Sequence, residues 1–247
     1  MKLCDAHCHL ANLSQIMSLK PLFAEAEARG ITHYLSSALT RSDLTLYPQL
    51  QQECPGTLLY SAGIHPFFDE CDLEFEDIVR ACEQQAIWAI GEIGMDRANP
   101  DKAGMRDTFV RQLELAESYG LPVVLHIVGH QQEALNTMRK HPLRYLMHGY
   151  AGSLEAFNSF LEADCYFTIS ERILREDKQD LLRAMLKSGR YLFETDITRY
   201  YVHEAETNPL LRLFAVLEDT ARINGIATTE LIDAQAANYQ ILTGLQL

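Results

Sequence analysis

The chain has 247 residues, of which 47% are hydrophobic and 22% charged, as in an ordinary soluble globular protein. Its formal net charge of −13 argues against a broad electrostatic grip on duplex DNA, which needs clustered lysine and arginine. Local capture of a phosphate by bound cations stays possible. Asp5 stands where a signal peptide would be apolar, and no apolar run approaches the roughly 20 residues of a membrane span. We therefore expect a cytoplasmic protein without membrane contact.

Short β-like runs alternate with helical stretches, which favours βα units and a parallel sheet. Eight strands are predicted, at residues 2–7, 31–37, 57–63, 86–92, 122–126, 143–148, 164–169 and 190–196. Eight helical stretches are predicted at 21–29, 44–53, 73–85, 105–119, 131–140, 153–162, 178–187 and 209–224. A final helix at 228–242 is expected to pack outside the barrel or cap it. Since one (β/α)8 TIM barrel takes about 250 residues, we expect a single domain over 1–247.

Six possible metal ligands fall where predicted strands end. The strands of a β/α barrel gather their C-terminal ends at one mouth, so ligands far apart in sequence would meet in one pocket. A pair of divalent ions could bind there. The six residues are His7, His9, Glu92, His126, His148 and Asp196.

The first two ligands stand two positions apart on the first predicted strand. His7 and His9 therefore project to the same face and can bind one ion. Asp5 shares that face, and we expect it to orient the two imidazoles from below. Cys8 points to the opposite face, where a packed core thiol is expected.

The next three ligands follow apolar runs. Glu92 comes after Ile87-Trp88-Ala89-Ile90, so its carboxylate must be metal-bound or paired, for instance in a buried salt bridge to an arginine. His126 and His148 each end a predicted strand. Either one alone would be interpreted as a hydrogen-bonded core histidine, but the four other candidates at strand ends favour ligands.

Two further residues are predicted to act on the substrate. Asp196 ends the eighth predicted strand, where its carboxylate could bind an ion and accept a proton from metal-bound water. His65, in Gly63-Ile64-His65-Pro66, ends the third strand and is interpreted as a donor to the substrate. His130 and His203 fall on mouth loops and could contact substrate.

In order and spacing, the chain resembles the TatD family of metal-dependent hydrolases in the amidohydrolase superfamily. The motifs that carry the resemblance are Asp-Ala-His-Cys-His at 5–9, Gly-Ile-His-Pro at 63–66, Ala-Ile-Gly-Glu-Ile-Gly-Met-Asp at 89–96, Leu-Pro-Val-Val-Leu-His at 121–126, His-Gly-Tyr-Ala-Gly-Ser at 148–153 and Glu-Thr-Asp at 194–196. Together they cover nearly the whole chain.

The resemblance implies a β/α barrel that holds two divalent ions. By analogy, His7, His9 and Asp196 hold the first ion, His126 and His148 hold the second, and Glu92 bridges them. The family's typical activity is a Mg²⁺- or Mn²⁺-dependent deoxyribonuclease, often an exonuclease on single strands. Mechanistically, Asp196, Glu92 and His65 would then be the catalytic residues.

The sequence departs from the family pattern in four mouth loops. Ile127-Val128 follows His126 where the family has Ser-Arg, Ile197-Thr198 follows Asp196, Glu206 opens a changed Asn208-Pro209 segment, and Arg97 replaces an aromatic residue. These changes leave the predicted metal ligands in place and alter the loops that are expected to contact the substrate. Replacement phosphate and stacking contacts, or simply a solvated polar rim, are expected from Arg97, Arg172, Arg199, Tyr200 and Tyr201.

Three functions stay open from the sequence. The first is a two-metal phosphodiesterase that acts on DNA or another nucleic acid. The second keeps the ions but hydrolyses another ester or amide, such as an aminoacyl-nucleotide ester, because a fold alone does not set function. The third is a metal-stabilised, non-catalytic subunit of a complex. A mixed histidine and carboxylate set also accepts Zn²⁺, and we expect a monomer.

Overall fold

Residues 2–247 are described by a computed structural model, in which eight parallel strands form one sheet with the spatial order of the sequence. The result is the expected TIM barrel. Its strands are β1 (Leu3–Cys8), β2 (Ile31–Ala38), β3 (Thr57–Ala62), β4 (Ala89–Asp96), β5 (Val123–Val128), β6 (Tyr145–Met147), β7 (Cys165–Ile169) and β8 (Tyr191–Phe193).

Ten α-helices lie among the described residues. They are α1 (Leu10–Leu13), α2 (Leu19–Ala28), α3 (Arg41–Glu53), α4 (Phe75–Glu83), α5 (Lys102–Tyr119), α6 (Gln131–Met138), α7 (Leu154–Leu161), α8 (Gln179–Ser188), α9 (Arg212–Asn224) and α10 (Thr228–Thr243). The short α1 was not predicted, because four residues are too few to show helical periodicity. No helix within residues 2–247 combines the length and the apolar character that crossing a bilayer requires.

Some helix boundaries differ from the predicted ones because capping side chains extend them. The helix α3 begins at Arg41, three residues before the predicted start. Thr40 accepts a hydrogen bond from the Asp43 backbone N–H at 3.1 Å, and Asp43 accepts one from the Thr40 N–H at 3.0 Å. This reciprocal capping box satisfies the free N–H groups of the first turn. Pro209, predicted to open a helix, lies instead in the 3-10 turn Pro209–Leu211 before α9.

The strands around the mouth end at different heights from those predicted. The strand β4 starts three residues late and runs on to Asp96, with a shift in its register against β5 between Ile90 and Ile93. Glu92 therefore lies inside a strand rather than at its end. The strand β8 stops at Phe193, which puts Asp196 on the following loop. His126 lies within β5, whereas His9 directly follows β1 and His148 directly follows β6.

The barrel closes between β8 and β1 through hydrogen bonds near the mouth. The Asp196 N–H donates to the His7 carbonyl at 3.0 Å, and the His9 N–H donates to the Ile197 carbonyl at 2.9 Å. Lower down, the buried amide of Gln235 on α10 accepts from the Phe193 N–H at 3.0 Å and donates to the Cys4 carbonyl at 3.1 Å. The C-terminal helix thus joins the two strands that carry part of the site.

The core supports this arrangement on both faces of the sheet. All eight residues of β4 are buried, as expected for a parallel strand covered on both sides. The six cysteines are free thiols, and Cys8 is fully buried, as the alternation of β1 predicted.

Candidate metal centre

A cavity of about 430 Å³ opens at the C-terminal ends of the strands. Five of the six predicted ligands line it, and the sixth, His7, lies just beneath with 1% of its surface exposed. The barrel thus gathers side chains from β1, β4 and β5 and from the loops after β6 and β8.

Glu92 lies at the centre of the cluster, and its two carboxylate oxygens face different histidines. Its Oε1 is 3.2 Å from His7 Nε2 and 3.1 Å from His9 Nε2. Its Oε2 is 2.8 Å from His148 Nε2 and 3.5 Å from His126 Nδ1. One carboxylate therefore lies between two groups of nitrogen ligands.

Asp196 completes the group on the side of β1. Its Oδ1 is 3.8 Å from His7 Nε2 and 3.6 Å from His9 Nε2. The His9 ring is fixed by a 3.2 Å contact between its Nδ1 and the Ser37 carbonyl. Since a carbonyl only accepts, Nδ1 carries the proton when the ring is neutral, and Nε2 then offers its lone pair toward the carboxylates.

The second pair of histidines, His126 and His148, is oriented through Asp96, which the sequence analysis did not predict as a site residue. Asp96 Oδ2 lies 2.9 Å from His126 Nε2, so that nitrogen donates and Nδ1 is turned inward. His126 Nδ1 and His148 Nε2 are only 2.9 Å apart. Positions 92, 94 and 96 share one face of a strand, so the period-two alternation was a signal that could have identified Asp96 beside Glu92.

The donor atoms fit divalent cations. His7 Nε2 and Glu92 Oε1 are buried and have no hydrogen-bond partner among the described residues, although they lie 3.2 Å apart. Buried polar atoms left unpaired are costly unless an ion or water engages them. Three overlapping sets each place three ligand atoms within 4.8 Å of one another: His7, Glu92 and His148; His7, His9 and Asp196; and His65, Glu92 and His126.

The ionisable groups inside the cavity shift one another's pKa values. Burial disfavours the charged form of Glu92, but His148, His7 and His9 outweigh it and hold the pKa of that carboxyl well below its usual value. Burial likewise opposes protonation of His126, yet its hydrogen bond to Asp96 and the charge of Glu92 raise its pKa to about 9. Burial, with His7 nearby, lowers the pKa of His148 to about 4. Cations would therefore replace protons held by this cluster.

Arg172 approaches the other oxygen of Asp196. It lies in the 3-10 turn Glu171–Ile173 after β7, and its Nη2 is 3.2 Å from Asp196 Oδ2. The two oxygens of Asp196 therefore face different partners, histidines on one side and an exposed guanidinium on the other. Burial raises the pKa of this carboxyl, but the hydrogen bond from His9 and the neighbouring histidines more than offset that and lower it.

The predicted substrate contacts are not all at the cavity. His65, Tyr200 and Tyr201 line it, and both tyrosines are about half exposed. Arg199 is held away from the cluster by Glu70, 2.7 Å from its Nη2. Arg97 is exposed at the end of β4 and is not among the lining residues. Arg172, also predicted, lines the cavity as well, so the structure places four of these six residues there and leaves Arg97 and Arg199 outside.

Two buried acidic residues accept hydrogen bonds from the loops at the mouth of the barrel. Asp5 accepts hydrogen bonds from the Thr195 N–H at 3.0 Å and hydroxyl at 2.5 Å, rather than from the imidazoles as expected. It therefore ties β1 to the loop that carries Asp196. Glu194, which the sequence reasoning passed over, is fully buried and accepts from the Gly149 N–H at 2.9 Å. Burial and the charge of Asp196 raise its pKa well above its usual value.

A TIM barrel whose strand ends gather histidines and carboxylates around one central glutamate is typical of a metal-dependent hydrolase. The family model described as TatD related DNase matches residues 4–244, so the chain belongs to the TatD family. It is 24% identical over 252 residues to an uncharacterized metal-dependent hydrolase, YcfH, of Escherichia coli K12, covering 97% of this chain and 94% of that protein.

Two more relatives extend the comparison. Human deoxyribonuclease TATDN3 is 22% identical over 253 residues, covering 96% of this chain and 92% of that protein. The crystal structure of the TatD homologue YJJV from Escherichia coli K12 superposes with a TM-score of 0.87 at 22% identity and covers 98% of both chains. The superposition shows the shared fold, and the family match gives the metal-dependent hydrolase class.

Proposed function

We propose that the protein is a metal-dependent phosphodiesterase that removes nucleotides from the ends of single-stranded DNA. The observation that carries the proposal is the placement of Glu92, whose two oxygens each face a separate pair of histidines. Two cations could share this carboxylate, one with His7, His9 and Asp196 and the other with His126 and His148. The family membership and the deoxyribonuclease name of the human relative support a nucleic-acid substrate.

Divalent ions bound here would acidify a water molecule and neutralise charge that develops on a phosphate. The chain's own groups supply the rest. Asp196, beside the open cavity and with a lowered pKa, stays ionised and can accept the proton of the attacking water. Glu92 contacts both pairs of histidines and so fixes their positions relative to each other. Arg172 presents a cation to a phosphate oxygen.

His65 has the properties of a hydrogen-bond donor in this reaction. The Phe67 backbone N–H donates to His65 Nδ1 at 3.0 Å, so the neutral ring carries its proton on Nε2. Burial and the nearby His126 and His9 lower the pKa of His65 despite the opposing effect of Glu92, which favours this neutral form. Its Nε2–H points toward the cluster, 3.5 Å from Glu92 Oε2, and can donate to a substrate oxygen.

A second candidate, hydrolysis of another ester or amide, is favoured by the weak positive charge around the mouth. Among the described residues, Arg172 is the only arginine or lysine that lines the central cavity, whereas Asp69 and Glu70 also line it. Ile127, mostly buried, stands where the family has a polar residue. The same activated water would attack an aminoacyl-nucleotide ester.

The decisive experiment uses end-labelled single-stranded DNA and protein stripped of metal, then refilled with Mg²⁺, Mn²⁺ or Zn²⁺. We expect stepwise shortening that needs metal and is lost in Asp196→Asn, with that variant retaining its circular dichroism spectrum. Asp107→Asn, an exposed change on α5, is the matched control and should keep full activity.

Cleavage by Asp196→Asn at a near-normal rate would contradict the role of Asp196 as the base that accepts the proton of the attacking water. Metal binding without cleavage of any DNA would refute the nuclease. A panel of aminoacyl-nucleotide and p-nitrophenyl esters then tests the second candidate, since turnover there requires the same ligands.

A further inference from the structure

Beside the central cavity lies a second cavity of about 360 Å³. Arg172, Asp196, Tyr200 and Tyr201 line both, so the two cavities are adjacent and share a border. Each lies within the roughly 300–1,000 Å³ that small-molecule sites occupy. The second cavity, which we call the side chamber, is further lined by Val202 and His203 from the loop after β8.

The border between the cavities carries the groups that suit a phosphodiester. Arg172 Nη2 is 3.2 Å from Asp196 Oδ2, and the Arg172 side chain is 51% exposed, so its remaining N–H groups can be reached by a ligand. A guanidinium binds a phosphate through paired hydrogen bonds. Tyr200 and Tyr201 are 53% and 51% exposed. The guanidinium of Arg199 covers one face of the Tyr200 ring at 4.8 Å, which leaves its other face and the ring of Tyr201 for a base to stack on.

The surroundings of the cleft do not favour a longer strand. Electrostatic affinity for additional phosphates comes chiefly from lysine and arginine. Asp69 and Glu70 line the central cavity and Glu171 lines the side chamber. Arg212, the other arginine of the side chamber, is paired with Glu206 and donates to the Tyr201 carbonyl at 2.8 Å.

We propose that the two cavities form one cleft for a single phosphodiester flanked by two nucleosides, in which Arg172 binds the phosphate and the side chamber holds one nucleoside. This inference rests on the proposed phosphodiesterase activity. It makes oligonucleotides as short as the dinucleotide full substrates, to which added length brings no gain. Phosphates beyond the cleft meet carboxylates and add no affinity.

The first test compares kcat/KM for single-stranded oligodeoxynucleotides of two, three, six and twelve nucleotides. We expect values within about threefold of one another, since no cationic groove rewards length. A rise of about tenfold or more from two to twelve nucleotides would overturn the proposal while leaving the nuclease activity established.

The second test measures dinucleotide binding by calorimetry in Ca²⁺, alongside steady-state kinetics. Arg172→Gln should weaken binding and raise KM by about ten- to a hundredfold, the range of one charge-assisted contact, with a smaller change in kcat. Arg183→Gln, an exposed arginine on α8, is the control and should bind like the parent protein.

The proposed nuclease activity and the proposed cleft would be refuted by different results. Dinucleotide binding that depends on Arg172, without cleavage of any DNA, would keep the cleft and refute the nuclease. Cleavage with no response to Arg172→Gln in KM or binding would keep the nuclease and refute the cleft.

Discussion

The backbone N–H of Phe67 donates a hydrogen bond to His65 Nδ1 at 3.0 Å. This contact decides what His65 can do, because it leaves Nε2 as the protonated nitrogen that faces Glu92. The ring otherwise belongs to a set of possible ligand atoms with Glu92 and His126. A nitrogen that carries a proton cannot bind a cation, so the local backbone favours donation to substrate over metal binding.

His65→Gln should therefore separate catalysis from metal binding. We expect kcat to fall by roughly a hundredfold, the effect of removing one donor that acts on developing charge. Affinity for Mn²⁺, measured by calorimetry, should stay within about threefold of the parent value, whereas His126→Gln should lose affinity sharply. Comparable losses of Mn²⁺ affinity in both variants would identify His65 as a ligand.

Asp96→Asn should weaken one metal site. Asp96 holds His126 through a 2.9 Å contact, and loss of such a partner typically costs ten- to a hundredfold in metal affinity. Competition with a chelator should show one class of site weakened by roughly that factor. Asp107→Asn serves as the control, and an unchanged affinity in Asp96→Asn would show that the contact does not orient the ligand.

Metal affinity should rise with pH. In the metal-free protein the pKa of His126 is about 9, so the ring is protonated at neutral pH and a cation must displace that proton. Because the protonated form dominates below that pKa, affinity should fall by up to about tenfold per pH unit, for each proton displaced, on going from about pH 8 to about pH 6. The slope should be shallower in Asp96→Asn, which lacks the partner that raises the pKa. A pH-independent Mn²⁺ affinity over this range would contradict the assignment.

Gln235→Leu should loosen the closure between β1 and β8. It leaves the buried Phe193 N–H and Cys4 carbonyl without their partner, at about 1–3 kcal/mol for each unsatisfied group. For a protein of this size we expect a Tm lower by roughly 5–10 °C. Gln240→Leu, on the exposed face of the same helix, is the control for the substitution itself. Equal thermal stability of the two variants would show that the bridge contributes little.

Much of the barrel could be predicted because its physical cause is local. Apolar runs of strand length alternate with helical periods, and most apolar residues of β4 and β5 indicate their burial through their own hydrophobicity. Boundaries failed where a side chain three or four positions away decides them, as Thr40 and Asp43 do for α3. The overrun of β4 past Glu92 likewise depends on a change of register against β5, which no local pattern encodes.

The sequence by itself determined the repeated βα order and the six candidate ligands, because strand alternation and buried charge are properties of neighbouring residues. Only the tertiary structure decided that Glu92 turns one oxygen to each pair of histidines, that Asp96 orients His126, and that Arg172 rather than Arg97 reaches Asp196. These relations join residues from different strands and loops, so their geometry is set by the closure of the barrel. Below the mouth, Gln235 of the last helix contacts both strands that meet at this closure.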